Sequence, residues 1–336
     1  MAQFEEVEEG QAPKKSKTPL IIGGVVAVAA VAGFLATRGS GAMSAEEKAA
    51  FQEAQDVLRL DDYNRYGEGE KKLLAVLQKH PDHVEPTVWL IQLYCAWGEE
   101  LDAEADTFRM AAQSKLKEIG DLKKITETSK SKSAREKAKT QYEAAKKELD
   151  ELQNAANIRN KSSVEKLKAA KDWVKVASAT DYSDAALHRA MADYGRITGK
   201  WGEAETQLQY VQKLKPDSAG LRFVKGVIAL QRDQKPDDAV ALYDEALKID
   251  PKFVKAKYFK GLALAKKGDN DKAAATMKEV LVESPGHTGA KAFLGLVGTL
   301  AQARKVAEEA AKAGTADEQV AAGDEAEPAK PAQPAK

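Results

Sequence analysis

Four residue positions recur in register along the C-terminal half of the chain. Ala204, Leu208, Val211 and Pro216 are followed 35 residues later by Ala239, Tyr243, Ala246 and Pro251, and 34 residues after that by Ala273, Met277, Val280 and Pro285. Each position has a physical task. The four-and-three spacing lays one apolar stripe on a helix, the small residue lets a second helix approach, and the proline stops the helix before the next begins. A unit of about 34 residues is one helical hairpin, too small to bury both of its faces. Copies must therefore stack on one another.

An earlier, weaker copy is formed by Gly69, Leu73, Val76 and Pro81, and a helix-turn-helix is expected through Leu90, Tyr94, Gly98 and Ala103. That makes five candidate units. The segments GKWGEAETQLQYVQKLKP, KPDDAVALYDEALKIDP and GDNDKAAATMKEVLVESP resemble the second helices and closing turns of tetratricopeptide repeats, and the resemblance covers 45–111 and 183–286. Leu90, Tyr94 and Gly98, and later Gly261, Leu264 and Gly268, suit the first helices of that family, whereas Lys257 and Lys260 stand where it prefers apolar residues. The resemblance implies an all-α solenoid of helical hairpins whose inner face receives peptides or other proteins. It implies binding, with no enzymatic activity. Helix spacing places Gln92, Lys255 and Tyr258 on that inner face. Some relatives grip a peptide's terminal carboxylate with Lys, Arg and Asn on the first helices, but TVWLIQLY and LRFVKGVIAL lack that pattern, so no such clamp is expected.

Between 113 and 180 the repeat signature vanishes while helix-forming residues persist. Leu116, Ile119, Leu122 and Ile125 make one narrow apolar strip, Tyr142, Ala145, Leu149, Leu152 and Ala156 make another, and the polar SKSKS separates them. An antiparallel helical hairpin, coiled-coil-like or simply packed, would satisfy both strips. Fewer than three clean heptads on either side argue against a long dimeric coiled coil. Lys and Arg outnumber the acids here, which suits an acidic partner or an anionic lipid surface as well as a plain solvated face.

The run from Pro19 to Thr37 carries no charge, and nineteen residues in a helix span roughly the 30 Å hydrocarbon core of a bilayer. A transmembrane anchor is expected there. A cleaved signal peptide, with Ser40-Gly41-Ala42 as the cleavage site, is the alternative; the long preceding stretch with Glu5, Glu6, Glu8 and Glu9 favours the anchor. Lys14, Lys15 and Lys17 flank its N-terminal side, while only Arg38 follows closely on the other. That bias predicts a single-pass protein of a bacterial inner membrane, N-terminus cytoplasmic and C-terminal domain periplasmic. Gly23 with Ala27, and Ala29 with Gly33, would let two such helices approach as a homodimer.

The predicted order is a cytoplasmic tail (1–18), a transmembrane helix (19–37), two repeat units (44–112), a charged helical insertion (113–180), three units (181–286), a capping helix (287–313) and a disordered tail rich in Pro, Ala and Lys (314–336). Ser44 and Glu47 have the spacing of a capping box that opens the first unit.

Charge narrows the functional classes. Lys plus Arg and Asp plus Glu both total 52, so no global excess of positive charge draws the chain to nucleic acid. Cys95 is alone, which rules out an internal disulfide and a cysteine-based zinc site. His80 and His83 in HPDH have loose ligand spacing but sit at a predicted inter-helix turn, and Gly67 and Gly69 form no phosphate loop. No nucleophile with a neighbouring base emerges. Catalytic, metal-binding and cofactor-binding residues are therefore all expected to be absent, and the partners are expected to be proteins or peptides of the cell envelope. Two rival expectations are a periplasmic chaperone or quality-control factor beside the secretion machinery, and a cytosol-facing import receptor on an organelle.

Overall fold

The computed structural model describes residues 42–81, 83–179 and 183–295. The expected tail at 1–18, the transmembrane helix at 19–37, the tail at 314–336 and most of the capping helix at 287–313 lie outside the described residues. Among the described residues no helix is long and apolar enough to cross a membrane.

The chain is helical throughout the described part. Helix α1 (Ala45–Arg59) starts at the expected capping box: the Ser44 hydroxyl accepts from the Glu47 amide at 3.2 Å, and the Glu47 carboxylate accepts from the Ser44 amide at 2.8 Å. A short 3-10 turn (Tyr63–Arg65) leads into α2 (Tyr66–Lys79). Then come α3 (Val84–Thr128), α4 (Lys132–Ser178), α5 (Ala185–Ile197), α6 (Trp201–Leu214), α7 (Ala219–Gln231), α8 (Pro236–Ile249), α9 (Val254–Lys267) and α10 (Asn270–Glu283). Residues 288–295 begin one further helical stretch. Successive helices pair as hairpins, and the hairpins stack.

The predicted stripes are the core. Ala204, Leu208 and Val211, their counterparts Ala239, Tyr243 and Ala246, and then Ala273, Met277 and Val280 are all buried. Gly226 lies against the Tyr243 ring, where a Cβ would fall 2.6 Å from Cε1, so the bulky residue of one helix is admitted by the missing side chain of its partner. Gly268 closes α9 at φ 91°, a left-handed conformation that suits glycine. Lys257 and Lys260 occupy their apolar-preferring positions as half-buried ion pairs: Lys257 pairs with Glu283 on α10, and Lys260 with Asp244 on α8 at 2.6 Å.

One expectation fails. The helix-turn-helix through Leu90, Tyr94, Gly98 and Ala103 is a single uninterrupted helix, α3, 45 residues long, which crosses the boundary drawn at residue 113 without a break. GEELDAEADTFRMAAQS contains no proline and, after Gly98, nothing that stops a helix. Gly98 serves packing instead of turning, because a Cβ there would lie 2.8 Å from Leu167 on α4. With 45 and 47 residues, α3 and α4 are each about 70 Å long.

The two run antiparallel. The Ser163 hydroxyl donates to the Gly98 carbonyl at 2.9 Å, Arg159 meets Glu104 at 2.6 Å, and Lys115 meets Glu148 at 2.7 Å, each pair closer to the turn at 129–131 than the one before. Along α4 the inward positions alternate every four and three residues from Ala138 to Ala177. Ile119, Leu122, Tyr142, Ala145, Leu149, Leu152 and Ala156 face inward as expected, but Leu116 and Ile125 are exposed. Lys115 takes the inward place, its stem against α4 and its ammonium held by Glu118 and Glu148.

At the base of α4, Ala170, Val174 and Ala177 stand 34 residues before Ala204, Leu208 and Val211 and are packed in the same way. The segment from 84 to 178 is thus one repeat hairpin whose two helices are drawn out, so the five stacked hairpins are α1–α2, α3–α4, α5–α6, α7–α8 and α9–α10.

The candidate binding face

The first helices of the hairpins, α1, α3, α5, α7 and α9, turn toward one another and enclose a cavity of about 350 Å³. Its walls include Leu58 and Arg59 from α1, Trp89, Gln92 and Cys95 from α3, Arg189, Asp193 and Arg196 from α5, Gly220 and Phe223 from α7, and Lys252, Phe253 and Lys255 at the start of α9. Aromatic side chains and charged side chains share the lining. That mixture suits a surface that grips an apolar group and orients a polar one.

Beside the cavity runs an ion network. Arg196 donates to both carboxylate oxygens of Glu99, at 2.6 and 3.0 Å, and to Asp193 at 3.0 Å. Lys255 reaches the same Glu99 at 2.8 Å. Burial raises the proton affinity of the Glu99 carboxyl, but Arg196 and then Lys255 outweigh it and hold the group well below the usual carboxylate range. The Arg196 charge is likewise kept in spite of burial, by Glu99 and Asp193. Three hairpins are tied at one point, since Glu99 belongs to α3, Arg196 to α5 and Lys255 to α9.

The ends of the stack also meet. His287 lies 3.5 Å from Asp61, the Asn64 amide donates to the Gly286 carbonyl at 3.4 Å, and the Thr288 hydroxyl donates to Glu100. A Cβ on Gly286 would fall 2.7 Å from Asp62 Oδ1, so a larger residue there would push that carboxylate aside. Burial would raise the Asp61 carboxyl, but Lys255 and the nearby His287 bring it below its ordinary value. Glu100 behaves oppositely: burial pushes it up, and Thr288 only partly offsets that.

Of the three residues expected on the inner face, Gln92 and Lys255 line the cavity. Both are already engaged, Gln92 by Arg189 and Lys255 by Glu99. Tyr258 lies apart from the cavity walls, its ring 4.5 Å from that of His287 and its hydroxyl beside Gly289. It belongs to the closure of the stack.

Sequence reasoning missed Glu99, Arg189 and Arg196, the charged residues that organise this face. A signal existed. Gln92 with Arg189 and Glu99 with Arg196 are each 97 residues apart, so α5 repeats α3 at a fixed offset set by the elongated hairpin.

The His80 Nε2–H donates to the Glu47 carboxylate at 3.0 Å, and its ring lies 5.1 Å from that of His83. No group of three or more His, Cys, Asp or Glu able to hold a metal ion occurs among the described residues. Burial pushes the Cys95 thiol well above its ordinary value, which leaves it protonated and inert at neutral pH.

Comparison with known proteins supports the repeat assignment. The family model for the tetratricopeptide repeat matches residues 189–252 and 228–288, that is, the three C-terminal hairpins. No curated protein sequence matches the chain. Among solved structures, the complex of the TPR2AB domain of yeast Sti1 with pHSP90 aligns over 78% of this chain and 96% of that one, at 16% identity and a TM-score of 0.26. The three C-terminal hairpins thus match the tetratricopeptide repeat, and the described residues are helical with no strand among them.

Proposed function

We propose that the protein is a non-enzymatic scaffold that holds a segment of another protein against the inner face of its repeat stack. The observation that carries this reading is the cavity itself. Five first helices converge on it, and Trp89, Phe223 and Phe253 stand there beside polar side chains. Such concave surfaces are what stacked helical repeats offer to partners.

Its setting is proposed from the sequence: the apolar run at 19–37 as a single-pass anchor, the lysines before it on the cytoplasmic side, and the repeats in a bacterial periplasm where an envelope protein would be the partner. Helix α1 starts only seven residues after that run, which would keep the stack close to the membrane surface.

The binding reading is tested by substituting exposed or half-exposed cavity residues, Trp89→Ala with Lys252→Ala, in the full chain. Partner capture in the native membrane should fall at least tenfold while helicity stays unchanged; unaltered capture would place binding elsewhere. Protease protection of intact cells and of spheroplasts tests the topology separately, because a stack digested only from the cytosolic side would contradict the periplasmic placement.

A further inference from the structure

The tip of the α3–α4 arm carries a positive charge that the arm does not balance. Between residues 122 and 147 nine lysines and arginines stand against three glutamates, and all nine cations are exposed. Lower on the arm, charges are matched across the two helices, Arg159 with Glu104 and Lys115 with Glu148. At the tip only Lys123 and Lys147 reach a carboxylate among the described residues, Glu127 at 4.0 Å and Glu151 at 3.9 Å, while Arg135 donates to the Ser129 carbonyl. Like charges three and four residues apart on a helix, as Lys132, Arg135 and Lys139 are, repel one another. An anionic segment laid against the tip relieves that repulsion.

The chain as a whole has no net charge, so the acids that offset the tip lie elsewhere in it. Five of them, Asp317, Glu318, Asp324, Glu325 and Glu327, fall within eleven residues that contain no cation. Their place in the chain suits the tip as well. The Thr288 hydroxyl donates to Glu100 on α3, at the base of the arm, and Gly295 follows within two helical turns. From Glu100 to Lys123 and Thr128, α3 rises about 35 to 42 Å. The 22 residues from Gly295 to Asp317 cover about 33 Å as a helix and roughly 70 Å extended, and ten more lead to Glu327, so the tip is within reach in either form.

We propose that the acidic stretch 317–327 of the same chain lies against the basic tip of the arm. Tethering places that stretch at an effective concentration on the order of millimolar, so individually weak attractions suffice to hold it there. Eight of the nine tip cations are lysines, strongly hydrated point charges on flexible stems, which suit a loose contact with several carboxylates. Such a contact is screened by salt, because the Debye length is about 10 Å at 0.1 M. The stretch thereby covers the one part of the arm whose charge would draw it to other anionic surfaces. The assignment is independent of the partner-binding face in the cavity.

Carbodiimide coupling, which joins a carboxylate to an amine in direct contact, tests this on the purified full chain in a non-ionic detergent. At low salt, peptide mapping should find amide links between the 317–327 carboxylates and the lysines of 123–147. Their yield per chain should not depend on protein concentration and should fall at least fivefold at high salt. The triple variant Lys124→Glu, Lys130→Glu and Lys132→Glu should lose these links at least fivefold with helicity unchanged, since all three side chains are exposed. Adding Asp317→Lys, Glu318→Lys and Asp324→Lys to that variant should restore coupling between the two segments, with donor and acceptor exchanged. Links absent at low salt, links that survive the charge reversal, or tip lysines joined to Glu5–Glu9 instead would overturn the assignment. A yield that rises with protein concentration would give the tip to a second copy's tail, and would overturn it too. Phosphatidylglycerol vesicles are the remaining probe: tip lysines shielded from acetylation by vesicles, in a chain that forms no tail links, would make lipid the occupant and sink the proposal.

Discussion

Glu99 on α3 is gripped by Arg196 on α5 through two hydrogen bonds of 2.6 and 3.0 Å, and Lys255 from α9 reaches the same carboxylate at 2.8 Å. One acidic side chain thus holds three hairpins in position around the cavity. Glu99→Gln leaves two largely buried cations sharing a neutral group, and breaking a buried pair from one side costs about 3 to 5 kcal/mol. Its neighbour should behave oppositely. Glu100 is pushed up by burial and accepts only from Thr288, so Glu100→Gln should be neutral or stabilising. Urea denaturation of the two variants checks this pair; equal losses would contradict the assigned electrostatics.

The same groups set the response to pH. Glu99 and Asp61 have folded-state affinities for protons below those of the unfolded chain, so their contribution is present above the ordinary carboxylate values of about 4 and is lost as pH falls below them. Glu100, shifted upward, gains stability as pH falls through its raised value. The unfolding midpoint should therefore be flat or rise slightly from pH 7 to about 5 and drop below about 4. In Glu100→Gln the rise should vanish and the drop remain. A steady decline from pH 7 in the wild-type protein would contradict this.

Gly98 and Leu167 make a second separable test. A Cβ on Gly98 would fall 2.8 Å from Leu167, so Gly98→Val should destabilise by about 1 to 3 kcal/mol through overpacking. Leu167→Ala in the same chain should recover part of that loss, a coupling that a double-mutant cycle measures. Strict additivity would mean that the two helices are not packed at this point.

The distal hairpin should be dispensable for stability. Beyond Glu104 and Arg159 it has its own small cluster of Leu122, Ala138 and Ala145, separate from the two large cores. Replacing 110–153 by a short glycine linker removes most of the arm beyond Glu104 and Arg159 and should leave the midpoint within a few degrees, with partner capture intact. A large loss of stability would show that the arm supports the stack; a loss of capture alone would move the binding surface from the cavity to the arm.

Much of this fold is legible in the sequence because one physical signal repeats. The alanine, bulky and small residues of α6, α8 and α10 must fit the same neighbour each time, so they recur in register. The drawn-out hairpin hid its own copy of that signal, since Ala170, Val174 and Ala177 end in Tyr182 where the others have proline. Its seam also reads as polar: Arg159, Ser163 and Lys166 occupy inward places and are satisfied by Glu104, by the Gly98 carbonyl and by Glu70, partners that lie far away in sequence. The binding face was less legible for a related reason. Gln92 and Lys255 follow from helix spacing, but Glu99, Arg189 and Arg196 look like ordinary surface charges until the elongated unit sets their 97-residue offset.

A photoreactive amino acid placed at Trp89 on the cavity wall, and in separate cells at Met110 and Ile158 on the exposed arm, tests the central assignment most directly. Irradiation of intact cells should join a partner protein to the chain from position 89, and that adduct should be absent from positions 110 and 158. Adducts from the arm with none from position 89 would contradict the account.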